Sequence, residues 1–246
     1  MTWMESEIVR RHDWAPGLMT LGLAAIPAAY VPGQFVNLAL DCEGARIKRS
    51  YSLASKAGVP SEFYLTEVIG GGLTPELFRL RVGDRVWIDD RALGFFTLDY
   101  VPPARHLWLF ATGTGLGPFM AMLRSPTIWE RAERVVLVHG VRHIAHLGYA
   151  SELARLLELH AGQFAYLPVV SRESAPPGAL SGRLPALLES GELERLAGLA
   201  LEPEGTHVLL CGNPAMITDV QALLERRGMH KHRPRKPGHI SFESYW

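Results

Sequence analysis

His106-Leu107-Trp108-Leu109-Phe110-Ala111-Thr112-Gly113-Thr114-Gly115-Leu116-Gly117-Pro118 is an apolar run that breaks into three alternate glycines and a proline. The run has the composition of a buried strand and Pro118 suits the first turn of a helix, so the stretch predicts strand, tight turn, helix. Glycines at such a turn let backbone N–H groups come close to phosphate oxygens at the head of the following helix. The spacing is not that of the dinucleotide fingerprint, whose third glycine lies farther on, and implies a dinucleotide less firmly than that fingerprint would.

Working outward, the texture changes at Val101-Pro102-Pro103-Ala104, and the proline pair divides the chain into domains 1–101 and 102–246. Downstream, apolar strands over 107–111, 134–139, 165–170 and 207–211 alternate with helical periodicity over 118–123, 151–159, 184–189 and 214–227. That alternation predicts an α/β parallel sheet with right-handed crossovers, and ligands beyond the carboxyl ends of its strands. Upstream, short runs over 8–11, 19–25, 35–40, 48–53, 62–68 and 85–88 are separated by turn residues, the pattern of a small antiparallel β-barrel. Thr74-Pro75-Glu76-Leu77 predicts a short helix within it, with Thr74 as N-cap and Pro75 at the first helical position. The fold expected is a two-domain α+β chain.

At 246 residues, 48% hydrophobic and formally neutral, the chain can bury a substantial core in two domains. Neutrality argues against a general nucleic-acid binder, which shows a basic excess or a long basic face. Cys42 and Cys211 lie far apart without a Cys-x-x-Cys, so neither a disulfide framework nor a cysteine-held iron–sulfur cluster is supported, and the reduced cytoplasm is the compartment expected. Glu5 and Glu7 come early and no basic region precedes an apolar core, so no export signal is expected. Residues 15–40 carry no charge, but Pro27, Pro32, Gly33, Gln34 and Asn37 interrupt them. A membrane-spanning helix needs about 20 continuous apolar residues, so barrel strands are the reading taken.

Arg49-Ser50-Tyr51-Ser52 offers a cation, an aromatic face and two hydroxyls within four residues, enough to hold a diphosphate and lie against a flat ring. Alone, it is equally an exposed arginine on an alternating strand. Gly70-Gly71-Gly72-Leu73-Thr74 is a second phosphate-friendly element or a plain hairpin turn. Arg142, Ser171-Arg172 and Arg183 each follow a predicted strand end, and several guanidinium groups there favour a phosphomonoester such as the 2′-phosphate of NADP. Cys211-Gly212-Asn213-Pro214 sits at another strand terminus, where a buried, inert cysteine is the plainer alternative. His139, His143 and His146 make a poor metal set, because Gly140 interrupts any continuous helix. The basic run 230–236 is either a solvated loop or a docking patch for an acidic protein. Ser52, Ser171 and Ser181 stand in no Gly-x-Ser-x-Gly elbow, which leaves acyl transfer without its supporting geometry.

Taken in order, Pro32-Gly33-Gln34-Phe35, Arg49-Ser50-Tyr51-Ser52, Phe63-Tyr64-Leu65, Gly94-Phe95-Phe96, Gly113-Thr114-Gly115-Leu116-Gly117-Pro118, Ser171-Arg172-Glu173, Gly182-Arg183 and Cys211-Gly212-Asn213-Pro214 resemble the ferredoxin–NADP reductase family over nearly the whole chain. The resemblance is strongest to its bacterial flavodoxin/ferredoxin subclass, which lacks the extra loops of the plastid enzymes. It implies that 1–101 is a six-stranded FAD-binding barrel and 102–246 an NADP-binding parallel sheet. It implies flavin contacts at Arg49, Ser50, Tyr51, Ser52, Tyr64, Leu65, Thr66, Gly72, Leu73, Thr74 and Thr114, and nucleotide contacts at Arg142, Ser171, Arg172, Arg183 and Asp219.

The activity implied is exchange of electrons between NADPH and ferredoxin or flavodoxin, by hydride transfer between nicotinamide and flavin N5 and then one-electron transfer. Tyr51 would pack on the isoalloxazine, Ser52 would bond near N5, and Cys211 would lie near the nicotinamide. The chain ends Ser244-Tyr245-Trp246 where plastid relatives end in a single tyrosine, which implies an aromatic tail over FAD and adds Trp246 to the contacts. The carrier would be acidic and the enzyme a cytoplasmic monomer, with no nucleic acid or membrane partner. Two rivals remain open: a stand-alone NADPH–flavin or diaphorase reductase, which needs no basic docking face, and a flavoprotein subunit that only tethers FAD. The arginines speak against the second, and the basic run leans toward a protein partner.

Overall fold

Period-two alternation governs one part of this chain and continuous apolar strands the other, and each builds its own sheet. In the computed structural model, which describes residues 2–42 and 44–245, residues up to Leu98 group with Gly117–Ser125, while Asp99–Leu116 groups with the residues from Pro126 onward. The division falls just before the proline pair.

The first unit contains β1 (Trp3–Ala15), β2 (Leu18–Leu23), β3 (Phe35–Cys42), β4 (Ala45–Ser52), β5 (Ser61–Thr66), helix α1 (Thr74–Arg79) and β6 (Arg85–Asp89). All pairings are antiparallel, in the order β4-β3-β6-β1-β2-β5. Inward residues such as Ile8, Leu21, Leu38, Phe63 and Ile88 form one core, joined by Ala121. Each such side chain contributes about 1.5–3 kcal/mol by leaving water. Gly33 is fixed by space as well as by backbone: its φ is +103°, and a Cβ there would stand 1.9 Å from the Phe96 carbonyl oxygen. Thr74 does not cap its helix. Leu73 occupies the cap position, and the Thr74 hydroxyl instead accepts the Val68 N–H at 2.9 Å. That bond closes the loop around Gly70, Gly71 and Gly72, and Pro75, having no N–H, needs no capping acceptor.

The second unit runs β7 (His106–Thr112), α2 (Leu116–Leu123), α3 (Pro126–Arg131), β8 (Arg134–Val141), α4 (Ala150–Leu159), β9 (Phe164–Val170), β10 (Leu180–Ser181), α5 (Leu184–Glu189), α6 (Glu192–Ala197), β11 (Thr206–Gly212), α7 (Pro214–Arg226) and β12 (Ile240–Ser244). The α2 turns from Gly117 on fall with the first unit. The sheet is parallel throughout, in the order β10-β9-β8-β7-β11-β12. Trp108, Phe110, Val136, Val138 and Leu210 pack with Ile217, Val220 and Leu224 of α7. The chain leaves β7 in one direction for β8 to β10 and later returns on the other side as β11 and β12. The carboxyl ends of β7 and β11 therefore form the topological switch point, where open α/β sheets bind ligands. Among the described residues no helix is long and apolar enough to cross a membrane.

Candidate nucleotide-binding sites

The switch point is laced together by two glycines. Gly113, at φ +53°, opens a 3-10 turn to Gly115 that leads into α2. A Cβ on Gly115 would meet the Cys211 carbonyl oxygen at 2.4 Å, and a Cβ on Gly212, at φ +127°, would meet Thr112 Oγ1 at 2.3 Å. The same Thr112 hydroxyl accepts the Asn213 N–H at 2.8 Å. Asn213 Oδ1 in turn accepts from the Ala215 and Met216 amides, at 2.9 and 3.3 Å, and starts α7. Thr114 is buried in the turn, and His139, wholly buried on β8, reaches the Gly113 carbonyl through Nε2 at 3.1 Å.

Cys211 is also fully buried. Burial pushes its thiol pKa up, as does the charge of Glu243, against a hydrogen bond from Tyr245 that lowers it. The side chain is therefore a protonated thiol at neutral pH, unsuited to nucleophilic attack. Tyr245 is tied in place by its own N–H, which donates to the Gly212 carbonyl at 3.1 Å. Trp246 lies outside the described residues.

The three arginines singled out in the sequence arrive on one edge of this sheet. Ser171 donates from both N–H and Oγ to the Val141 carbonyl at 3.0 Å, and the Arg172 N–H donates to the Arg142 carbonyl at 3.0 Å. Gly182 N–H donates to Val170 at 2.9 Å, and Arg183 follows as the cap of α5. Arg142, Arg172 and Arg183 are thus exposed at the neighbouring carboxyl ends of β8, β9 and β10. Glu173, whose part the sequence did not reveal, locks the loop after β8: its carboxylate accepts the Ile144 N–H and stands 3.8 Å from His143 Nδ1. Asp219 is exposed on α7, across β7 from the arginines, and is not brought to them.

The basic run 230–236 goes elsewhere. Lys231 bridges to Ile240, the first residue of β12, and Arg233 bridges to Lys236, so the run forms an exposed turn at the amino end of the sheet. β11 spans seven residues, and at about 3.3 Å per residue the turn lies roughly 20 Å from the glycine loop along the strand direction. A patch expected to dock a partner thus occupies the end opposite the nucleotide elements.

In the first unit the candidate residues form a strip along β4, an end strand of its sheet. Alternation puts Ile47, Arg49 and Tyr51 on one face and Ser50 and Ser52 on the other. At one end of the strip a Cβ on Gly72 would touch Ile47 Cγ2 at 3.4 Å, and at the other a Cβ on Gly117 would stand 3.9 Å from both the Ser52 carbonyl and Tyr64 Cβ. The strip from Ile47 to Ser52 is about 17 Å long at the ordinary rise of a strand, a length suited to an extended dinucleotide. Arg49 is exposed and donates to the Lys48 carbonyl at 2.8 Å. Ser50 faces away and donates to Asn37 Oδ1 at 2.8 Å, which leaves it outside the strip. Tyr64 and Leu65 are buried on β5, and the Thr66 hydroxyl donates to the Gly17 carbonyl at 3.1 Å. The Tyr51 hydroxyl is buried without a hydrogen-bond partner among the described residues, and burial pushes its pKa up to about 12. An orphaned donor, a nearby guanidinium and a glycine-lined end fit a ligand carrying a flat ring and a diphosphate.

An antiparallel six-stranded unit joined to a parallel sheet with a glycine loop at its switch point defines a two-domain nucleotide-dependent oxidoreductase. Residues 109–222 match the oxidoreductase NAD-binding domain family. The chain is similar to the flavodoxin/ferredoxin–NADP reductase of Escherichia coli K12, 42% identical over 246 residues covering 99% of both. It is similar also to the ferredoxin–NADP reductase of Pseudomonas aeruginosa, 33% identical over 94% of this chain and 93% of the relative. Among solved structures, the ferredoxin NADP+ reductase of Neisseria gonorrhoeae, with bound FAD and NADP, superimposes with a TM-score of 0.91 at 31% identity, covering 98% of each chain. The chain belongs to the flavodoxin/ferredoxin–NADP reductase family.

Proposed function

We propose that this protein is an FAD-dependent reductase that exchanges electrons between NADPH and a ferredoxin or flavodoxin. The observation that carries the choice of NADPH is the set of three exposed arginines, with Ser171, on adjoining carboxyl ends of β8, β9 and β10. Guanidinium forks suit the 2′-phosphate that distinguishes NADPH from NADH. Bound FAD supplies the redox chemistry, taking up a hydride from nicotinamide and passing electrons on singly.

The chain's own groups hold and align. Domain 1–101 is assigned to FAD, with Arg49 on the diphosphate beside Gly72, Leu73 and Thr74, Tyr51 against the ring, and Tyr64, Leu65 and Thr66 contributing from β5; Ser52, on the other face of β4 from Tyr51, is assigned to the reactive nitrogen by resemblance alone. Domain 102–246 is assigned to NADP(H), with Arg142, Ser171, Arg172 and Arg183 on the 2′-phosphate and Cys211 beside the nicotinamide as a neutral thiol. Asp219 and Trp246 are assigned to the cofactors by resemblance alone. The carrier is proposed to be acidic and to meet the face of β4 that exposes Lys48, opposite the face given to Arg49; the turn 230–236 lies at the wrong end of its sheet to serve near the nucleotides. The enzyme is proposed to work as a monomer, and in the cytoplasm, since Cys42 and Cys211 are free thiols.

Anaerobic titration of the purified yellow protein tests this directly. Bleaching of the flavin band by NADPH but poorly by NADH, with the preference lost in an Arg172→Ala/Arg183→Ala variant, supports the reading. Flavin that no nicotinamide reduces would point to a tethering subunit, and a chain without flavin would undo the assignment of the β4 strip.

A further inference from the structure

His139 is out of place in its strand. Its neighbours on β8, from Val135 to Val138, are all apolar and fully buried, and His139 itself is completely buried. A leucine or phenylalanine would fill such a position without burying a polar ring. The ring is used on one side only: Nε2 lies 3.1 Å from the Gly113 carbonyl oxygen, whereas Nδ1 is buried with no hydrogen-bond partner among the described residues. A carbonyl can only accept, so Nε2 carries the proton and Nδ1 is a bare acceptor. The polar ring therefore stays in the core for the sake of one contact, and that contact is to the first residue of the glycine loop.

Gly113 needs such a hold. At φ +53° it has the freedom of a glycine in the left-handed region, and a Cβ on it would meet nothing within 4 Å, so packing does not fix it. Its carbonyl accepts from Leu116 N–H on one side and from His139 on the other. Because the peptide unit is planar and trans, a carbonyl drawn toward His139 turns the Thr114 N–H the opposite way, away from His139.

We propose that His139 is a positioning residue, whose Nε2–H clamps the Gly113 carbonyl and so aims the amides of the Thr114-Gly115 turn at the phosphates of the nicotinamide nucleotide. The inference rests on reading this loop as part of the NADPH site.

The test compares wild-type holoenzyme with His139→Leu and His139→Gln, using NADP+ titration by flavin difference spectra and steady-state kinetics with NADPH and ferricyanide. Leucine removes the donor; glutamine carries an N–H at nearly the reach of Nε2. The expected result is a rise of about tenfold or more in Kd for NADP+ and KM for NADPH in the leucine variant, with kcat changed far less, and recovery to near wild type in the glutamine variant. Equal impairment of both variants would mark a purely packing role and overturn the proposal, as would a leucine variant that binds NADP+ normally. Should the leucine variant lose flavin, glutamine is compared with His139→Asn, whose shorter amide falls short of the carbonyl: tight glutamine and weak asparagine support the clamp, and equal affinities overturn it. A wild type that NADPH does not reduce would overturn the reading of the site itself, whereas a reducible wild type with unaffected variants would overturn only the role of His139.

Discussion

Gly115 lies so close to Cys211 that a methyl group on it would stand 2.4 Å from the Cys211 carbonyl oxygen, 2.6 Å from its carbon and 2.9 Å from the Gly212 Cα. Every atom in the way is backbone, so no rotamer change relieves the clash and the ends of β7 and β11 must part. Gly115→Ala is expected to keep its flavin but lose at least about tenfold in NADP+ affinity, some 1.4 kcal/mol. Titration of the variant holoenzyme checks this; unaltered NADP+ binding would show that the switch point does not hold the nucleotide.

Arg124 Nη1 donates to Glu62 Oε1 and to the Ala54 carbonyl, each at 2.7 Å, with the Arg124 and Glu62 side chains 17% and 11% exposed. Without Arg124, the Glu62 carboxylate keeps the longer pair with the exposed Arg10, whose Nη1 stands 3.3 Å from Oε2. Arg124→Met is therefore expected to cost about 1–3 kcal/mol in urea unfolding, and Arg124→Met/Glu62→Gln clearly less. A double variant as unstable as the single would show that the pair is not the source of the loss.

Burial lowers the pKa of His139 to about 4 and that of His207 to about 3. Unfolded histidines take a proton near pH 6.5, so the unfolded state binds more protons between that pH and the folded values. Stability contributed by the neutral rings is complete above pH 6.5 and is lost as the pH falls; by pH 5 each ring costs about 2 kcal/mol. Thermal melts from pH 7.5 to 5 should show a steep fall that His207→Gln makes shallower. A melting temperature indifferent to His207 would contradict the assignment.

The Tyr51 hydroxyl makes a prediction of two signs. Left without a partner among the described residues, it costs the apoprotein about 1–3 kcal/mol. Tyr51→Phe should therefore raise apoprotein stability while weakening FAD, if the hydroxyl finds its partner on the cofactor. Differential melts with and without FAD read both; a variant less stable without FAD would place its partner within the chain.

The six strands of the first unit were legible because turn residues punctuate short apolar runs such as Phe35 to Leu40 and Arg85 to Ile88, and all six appear as strands. The four main strands of the parallel sheet were legible as continuous buried runs. Helices Pro126–Arg131 and Glu192–Ala197, six residues each, went unread, although the equally short Leu184–Glu189 was read from its leucines. The Thr74 cap was misjudged because the competing amide, that of Val68, is brought to it by the glycine loop rather than by the helix. The basic run showed its charge but not its place, since that depends on β12 pairing beside β11. The contacts of Gly115 with Cys211 and of His139 with Gly113 join separate strands, and only the sheet order brings them together.

Carrier turnover tests the central claim most directly. With NADPH in excess and cytochrome c as final acceptor, catalytic amounts of the protein should reduce cytochrome c only slowly until a purified flavodoxin or ferredoxin is added, and then at a rate that rises and saturates with carrier concentration and falls with salt. Flavin reduced by NADPH while both carriers stay oxidised would contradict it and identify instead a reductase that passes electrons to small acceptors alone.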